Sequence, residues 1–197
     1  YDNTAFADAT EDAAYWAGFL MADGSVVGNE IALVLSSKDR SHVENFRDFL
    51  RSDHALIDTG HATVRFSIRC EKLVSDLARF GVVARKTHTA KAILVDRSPH
   101  FWRGVVDGDG SIGISRRGNS HLPRLELVGS KNLMLQFADF VRQTSPGCTA
   151  TVKPHKSIYR VGLLGLHAGN VINKLYSCKG IALTRKANAA LNILRSG

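Results

Sequence analysis

"WAGFLMADGS", Trp16–Ser25, decides how this chain folds, because it is written twice: it returns as "WRGVVDGDGS", Trp102–Ser111. Trp16 matches Trp102, Gly18 matches Gly104, Asp23 matches Asp109, Gly24 matches Gly110 and Ser25 matches Ser111. Three more pairs follow in the same order. "SSKDRSHVENFRDFL" (36–50) echoes "GSKNLMLQFADFV" (129–141), "VRFSI" (64–68) echoes "YRVGL" (159–163), and "ARKTHTA" (84–90) echoes "TRKANAA" (184–190). The offset grows from 86 residues at Asp23/Asp109 to 100 at Ala84/Thr184, as small insertions in the second copy require. The chain is therefore an internal duplication, and each copy should be one structural unit.

Periodicity supplies the elements. The first copy predicts a helix ending near Ala22, with Gly24 as a left-handed cap just beyond it. Two strands follow over 25–28 and 30–37, then a helix with Ser37 as its cap and Val43, Phe46, Phe49 and Leu50 on one face. "ALIDTG" and "HATVRFSIRC" predict a second strand pair, and "EKLVSDLARFG" a helix closed by Gly81. The second copy predicts strands at about 111–117 and 122–129, a helix at 131–144, strands at 148–153 and 157–164, and helices at 166–176 and 182–195. The fold class is α+β, two pseudo-symmetric αββαββα repeats. The repeats are placed at 1–90 and 101–197, with 91–100 as a linker and Pro99 set to start a helix.

The run His61–Cys70 alternates cleanly. His61, Thr63, Arg65, Ser67 and Arg69 share one face; Ala62, Val64, Phe66, Ile68 and Cys70 share the other. One face is built to pack on helices and the other is polar and basic.

Net charge is +8, with 16 arginines and 10 lysines spread along the chain rather than gathered in a tail. A basic folded surface favours nucleic acid, and arginine suits bidentate contacts to bases and phosphates. No basic amphipathic helix of the membrane-lying kind is evident. The longest uncharged apolar run, Tyr15–Ala22, is far short of a bilayer span. There is no secretory leader pattern, and the three cysteines form neither a disulfide framework nor a zinc pair. A soluble intracellular protein is expected, in a prokaryotic or phage-host cytoplasm or an organellar matrix.

The aspartates need a purpose. As a calcium loop starting at Asp107, the second copy fails at its sixth position (Ile112) and its twelfth (Gly118). A hairpin turn explains one Asp-Gly, but not the same small-residue helix before both. Gly18 and Ala22, and Gly104 and Gly108, stand four apart on one helical face, a spacing that lets two helix backbones touch. Packed so, the helices would bring Asp23 and Asp109 together at their negative ends, where a divalent cation is the natural compensation. Paired carboxylates on a metal at the centre of a basic surface point to phosphodiester hydrolysis.

The motifs "WAGFLMADG" and "WRGVVDGDG" resemble the paired signature of the LAGLIDADG homing endonucleases, in their single-chain, two-repeat form, and the repeats extend the resemblance over nearly the whole chain. The resemblance implies a pseudo-symmetric monomer whose two four-stranded antiparallel sheets form a saddle over a long site in double-stranded DNA. Both strands would be cut across the minor groove, leaving short 3′ overhangs. Asp23 and Asp109 match the family's metal-binding catalytic aspartates, and Ala22 and Gly108 match positions whose carbonyls complete the metal shell. Mg²⁺ is implied as cofactor, with Mn²⁺ a substitute and Ca²⁺ bound without turnover. Lys86 and Lys186, late in each repeat, match the basic residues near the scissile phosphates, with Arg85, Arg185 and Lys179 as substitutes. Met21 against Asp107, and Arg103 in place of a small residue, depart from the pattern and make the halves unequal.

Base contacts are expected from the strand faces. The candidates are Ser36, His61, Thr63, Arg65, Ser67 and Arg69 in the first half. In the second they are Ser115, Arg117, Arg124, Glu126, Lys153 and Arg160. The alternatives are an RNA-splicing maturase or a non-cleaving DNA-binding protein on the same scaffold. A degenerate binder would typically lose a central aspartate, and both are present.

Overall fold

The computed structural model describes residues 1–84, 88–118 and 120–195. The first half runs α1 (Glu11–Ala22), β1 (Gly24–Val27), β2 (Glu30–Ser36), a 3-10 turn (Ser37–Asp39), α2 (Arg40–Phe49), β3 (Ile57–Asp58), β4 (Thr63–Arg69) and α3 (Glu71–Arg79). The second runs α4 (Pro99–Asp109), β5 (Gly110–Arg117), β6 (Ser120–Gly129), α5 (Lys131–Thr144), β7 (Lys153–His155), β8 (Ile158–Leu164), α6 (Leu166–Tyr176) and α7 (Thr184–Arg195). Among the described residues each half thus repeats αββαββα, and the second adds α7. Two four-stranded antiparallel sheets result, ordered β1-β2-β4-β3 and β5-β6-β8-β7. No described helix is long and apolar enough to cross a membrane.

One face of each sheet is covered by helices. Ile31, Leu33, Val64, Phe66 and Ile68 are buried with Val43 and Phe46 of α2 and Leu73 and Leu77 of α3. Leu125, Leu127, Val161 and Leu163 are buried with Phe137 and Val141 of α5 and Val171 and Ile172 of α6. The two motif tryptophans do the same job in each half. Trp16 packs on Phe46 of α2 at 4.9 Å between ring centroids, and Trp102 on Phe137 of α5 at 5.1 Å.

The halves join through α1 and α4, which pack against each other along the motif. A Cβ on Gly18 would overlap the carbonyl oxygen of Phe101 and stand 2.9 Å from its carbon. A Cβ on Gly104 would overlap the Tyr15 carbonyl oxygen and stand 2.7 Å from the Phe19 nitrogen. Backbone meets backbone here, so only glycine fits.

Several local expectations are corrected. Gly24 is not a left-handed cap; it lies outside the positive-φ residues and opens β1. Glycine is required because a Cβ there would stand 2.8 Å from Leu20 Cα, and Gly110 meets Val106 Cα at 2.9 Å in the same way. Ser37 is not the cap of the helix after β2. Ser36 caps the 3-10 turn instead, accepting from Lys38 N, and α2 starts at Arg40 with no side-chain cap bond. Asp39 stands at that cap position, but its carboxylate accepts from Arg185 Nε at 3.1 Å across the two halves. His61 lies in the turn before β4, where Gly60 and Ala62 both take positive φ, so the alternation holds from Thr63 to Arg69 only. The strand expected over 148–153 forms at 153–155. Pro99 begins α4, as the sequence leads one to expect.

Substituting the contact glycines tests this junction. Gly18→Ala and Gly104→Ala should each destabilise the protein by about 3 kcal/mol, the upper range for forcing a methyl into a closed contact. Gly113→Ala, where a Cβ meets nothing within 4 Å, should stay within about 0.5 kcal/mol of the native chain. Urea unfolding of the three variants measures the difference.

Candidate functional site

Asp23 follows α1 as its C-terminal cap and Asp109 is the last residue of α4; both are exposed. The helix contact brings the two ends together. A Cβ on Gly108 would overlap that of Ala22 and stand 3.4 Å from Asp23 Oδ2. Each aspartate is followed at once by the first strand of its sheet, so the carboxylates sit where both sheets begin. A cleft of about 220 Å³ runs from Ala22 and Asp109 past Val128 and Ile158, two residues on the open face of the second sheet. Two carboxylates at two helix C-termini oppose the helix dipoles as well as each other.

Lys186 answers this charge from below. It is buried, and its Nζ donates to the carbonyls of Val106 (2.7 Å), Gly108 (3.5 Å) and Gly110. The ammonium thus uses its donors to hold the exit of α4, as a cation at a helix C-terminus should. Burial pulls its pKa down to about 8; Arg185 adds to the fall, while Asp107, Asp23 and Asp109 oppose it. Of the other basic candidates, Arg185 is bound to Asp39, Lys179 is exposed, and Lys86 and Arg85 lie outside the described residues.

The donors here suit a hard divalent cation: they are carboxylates and backbone carbonyls, all oxygen. Among the described residues there is no cluster of three or more His, Cys, Asp or Glu side chains that could hold a metal. An ion at this place would draw on Asp23, Asp109 and the neighbouring carbonyls of Ala22 and Gly108. Water or phosphate oxygens would fill the rest, as Mg²⁺ commonly accepts.

Strand register decides which side chains share the open sheet faces. In the first sheet Ser36 pairs with Thr63, and Thr63, Arg65, Ser67 and Arg69 alternate with the buried Val64, Phe66 and Ile68. In the second, Ser115 pairs with Leu122, Glu126 with Gly162, and Arg160 with both Val128 and Lys153. Ser115, Arg124, Glu126, Lys153 and Arg160 therefore fall on one face, together with the strand position of Arg117. Of the twelve residues expected there, His61 alone is displaced from its strand.

No family model matches the chain, and no curated protein matches it by sequence. Solved structures match it by shape. The LAGLIDADG meganuclease I-AabMI, bound to uncleaved DNA, superposes with a TM-score of 0.67 at 12% identity, over 92% of this chain and 88% of that one. The chain has the LAGLIDADG meganuclease fold. Meganuclease I-SmaMI bound to uncleaveable DNA gives 0.62 at 12% identity, over 90% and 89%. The I-LtrWI LAGLIDADG homing endonuclease bound to target DNA gives 0.62 at 11%, over 91% and 88%.

Within the LAGLIDADG meganuclease fold, the departures Arg103 and Asp107 prove to be structural partners of the helix pair. Asp107 is fully buried. Its carboxylate accepts from Tyr15 OH (2.7 Å), Tyr176 OH (2.6 Å) and Leu183 N (2.7 Å), which ties α1, α6 and the start of α7 to α4. Burial pushes its pKa up, and these donors with Lys186 push back. Arg103, also buried, donates to the carbonyls of Leu175 (3.1 Å) and Cys178 (3.0 Å), and its guanidinium lies 5.6 Å from the Tyr15 ring centre. Because Tyr15 gives its proton to Asp107, its oxygen must accept from Nε2–H of His42 at 2.9 Å, which assigns the neutral tautomer. The signal for this network was present in the sequence: two charges inside the second motif helix where the first motif has Ala17 and Met21, and a tyrosine just before the first motif.

Two measurements check the network. Asp107→Ala leaves two hydroxyls and one amide without their acceptor and should cost about 3–5 kcal/mol in urea unfolding. His42 is held well below its ordinary 6.5, at about 4, chiefly by burial. The folded state therefore resists protonation more than the unfolded state. The associated stability is complete above pH 6.5 and drains as pH falls toward 4, by at most about 3 kcal/mol. Thermal unfolding across that range should show the slope, and His42→Gln should flatten it.

Proposed function

We propose that the chain is a site-specific double-strand DNA endonuclease acting as a monomer. The observation that carries this reading is the meeting of Asp23 and Asp109 at the joined ends of α1 and α4, between two sheets with polar and basic open faces. The DNA-bound meganucleases that share the fold support it. The two halves, 1–90 and 101–197, joined by 91–100, each supply one aspartate and one sheet. The sheets take the major groove on either side of the cut, and the carboxylates face the minor groove between them, one for each strand.

When bound, Mg²⁺ would lower the pKa of an attacking water and offset charge on the scissile phosphate. The chain's own residues do the rest. Asp23 and Asp109, with the carbonyls of Ala22 and Gly108, would hold the ion, and Gly18 and Gly104 keep the two carboxylates at one spacing. Lys186 supports the carbonyls from beneath and lends positive charge to the pair. A phosphate would have to displace one of its carbonyl partners, so a role in holding backbone fits its contacts better than a direct phosphate contact. Hydrolysis of one bond in each strand yields the short 3′ overhangs expected of this arrangement.

In vitro cleavage of a randomised or host-derived DNA library with Mg²⁺ tests the reading. The native chain should cut at one long site. Asp23→Asn and Asp109→Asn should each lower cutting by more than about 100-fold, since losing a direct ligand exceeds the loss of a supporting one. Salt-dependent binding with no cutting under any divalent ion would move the chain to the maturase or non-cleaving class.

A further inference from the structure

The two open sheet faces differ in the chemistry they offer, and the difference lies at matched positions. Gly24 pairs with Leu33 and Gly110 with Leu127, which makes Glu30 of β2 the counterpart of Arg124 in β6. The first sheet therefore carries a carboxylate where the second carries a guanidinium.

On the first face Glu30 accepts from Arg65 and from Arg69 Nε (3.0 Å), so both guanidiniums are tied to one carboxylate along the sheet. Ala32, between them on that face, is buried. Around this pair stand three exposed aliphatic side chains. Val34 (41% exposed) and Ile57 (58%) flank Arg65 in one cross-strand row, and Val27 (74%) pairs with Glu30 in another. Branched aliphatics exposed this far on the polar side of a sheet cost hydration and gain nothing from the core.

The second face is the reverse. Its apolar residues Leu122, Val128, Ile158 and Leu164 are half-buried, and no large apolar side chain on it is exposed among the described residues. Arg124 and Lys153 are exposed and make no ion pair among the described residues, and Arg160 lies 3.5 Å from Glu126.

We propose that the first sheet reads a thymine-rich half-site through contact of Val27, Val34 and Ile57 with thymine 5-methyl groups, while the second reads guanine through Arg124. This rests on the DNA-binding reading above and goes beyond it by naming the base class each half takes. In the major groove an apolar side chain has one apolar target, the methyl of thymine, whereas an uncommitted arginine best matches O6 and N7 of guanine. The opposite charges at Glu30 and Arg124 also favour unlike half-sites over a palindrome.

Selection of bound duplexes from a randomised library, by gel shift in Ca²⁺, gives the preferred site. Arg124→Ala should relax guanine preference in one half and so mark the half beneath the second sheet. Replacing thymine by uracil in the other half removes only the methyl groups. It should weaken binding about fourfold for each methyl in contact, and the same replacement beneath the second sheet should change nothing. Val34→Ser should bring the thymine and uracil duplexes closer in affinity, an effect that altered folding alone would not produce. One selected site, with uracil and thymine bound alike in both halves, would overturn this inference and leave the DNA reading standing. No enrichment of any duplex would remove both.

Discussion

Everything in this molecule hangs on a contact between two backbones. Gly18 lies against the carbonyl of Phe101 and Gly104 against that of Tyr15, so α1 and α4 approach as closely as peptide chains allow. Each helix hands over directly to the first strand of a sheet, and the contact therefore sets how the two sheets lie to one another. It also sets the spacing of Asp23 and Asp109. Glycine inside a helix costs about 0.5–1 kcal/mol relative to alanine, a small penalty beside the positional control it allows over two charges at adjoining helix ends.

The duplication is symmetric where it builds and asymmetric where it anchors. Trp16 and Trp102, Phe46 and Phe137, and Arg65 and Arg160 keep equivalent places. The second half alone carries the buried pair Arg103 and Asp107, and these reach α6 and the residue before α7, a helix with no counterpart among the described residues of the first half. Through α7 the chain gains Lys186 beneath the carboxylates and Arg185 across to Asp39. Through Arg185 this helix ties the two halves together. A buried carboxylate with three donors is costly to break but fixes one arrangement of its partners.

Much of this was legible from residue order. The repeated motif required two like units, small residues at spacing four required a close helix pair, and the period-two run from Thr63 to Arg69 required a sheet with one solvated face. What stayed hidden depended on contacts far apart in sequence. Gly24 reads as a cap, yet it is needed because Leu20 lies over it. Ser37 reads as a helix cap, but Asp39 holds that place and its carboxylate is drawn off by Arg185, 146 residues later. His61 continues the alternation on paper, but two positive-φ residues turn the chain beside it. Lys186 reads as a phosphate ligand, and only the fold shows three carbonyls converging on its ammonium.

On the proposed function, Asp23 and Asp109 together form one cation site on nucleic acid. The most direct measurement is the free Mn²⁺ signal in electron paramagnetic resonance, recorded for the protein bound to its selected duplex. It would be repeated for a chain carrying both Asp23→Asn and Asp109→Asn on the same DNA. The native complex should remove more Mn²⁺ from solution than the variant complex, by a fixed number of ions per chain. Equal removal by both would contradict the account, because the ions would then belong to the duplex alone.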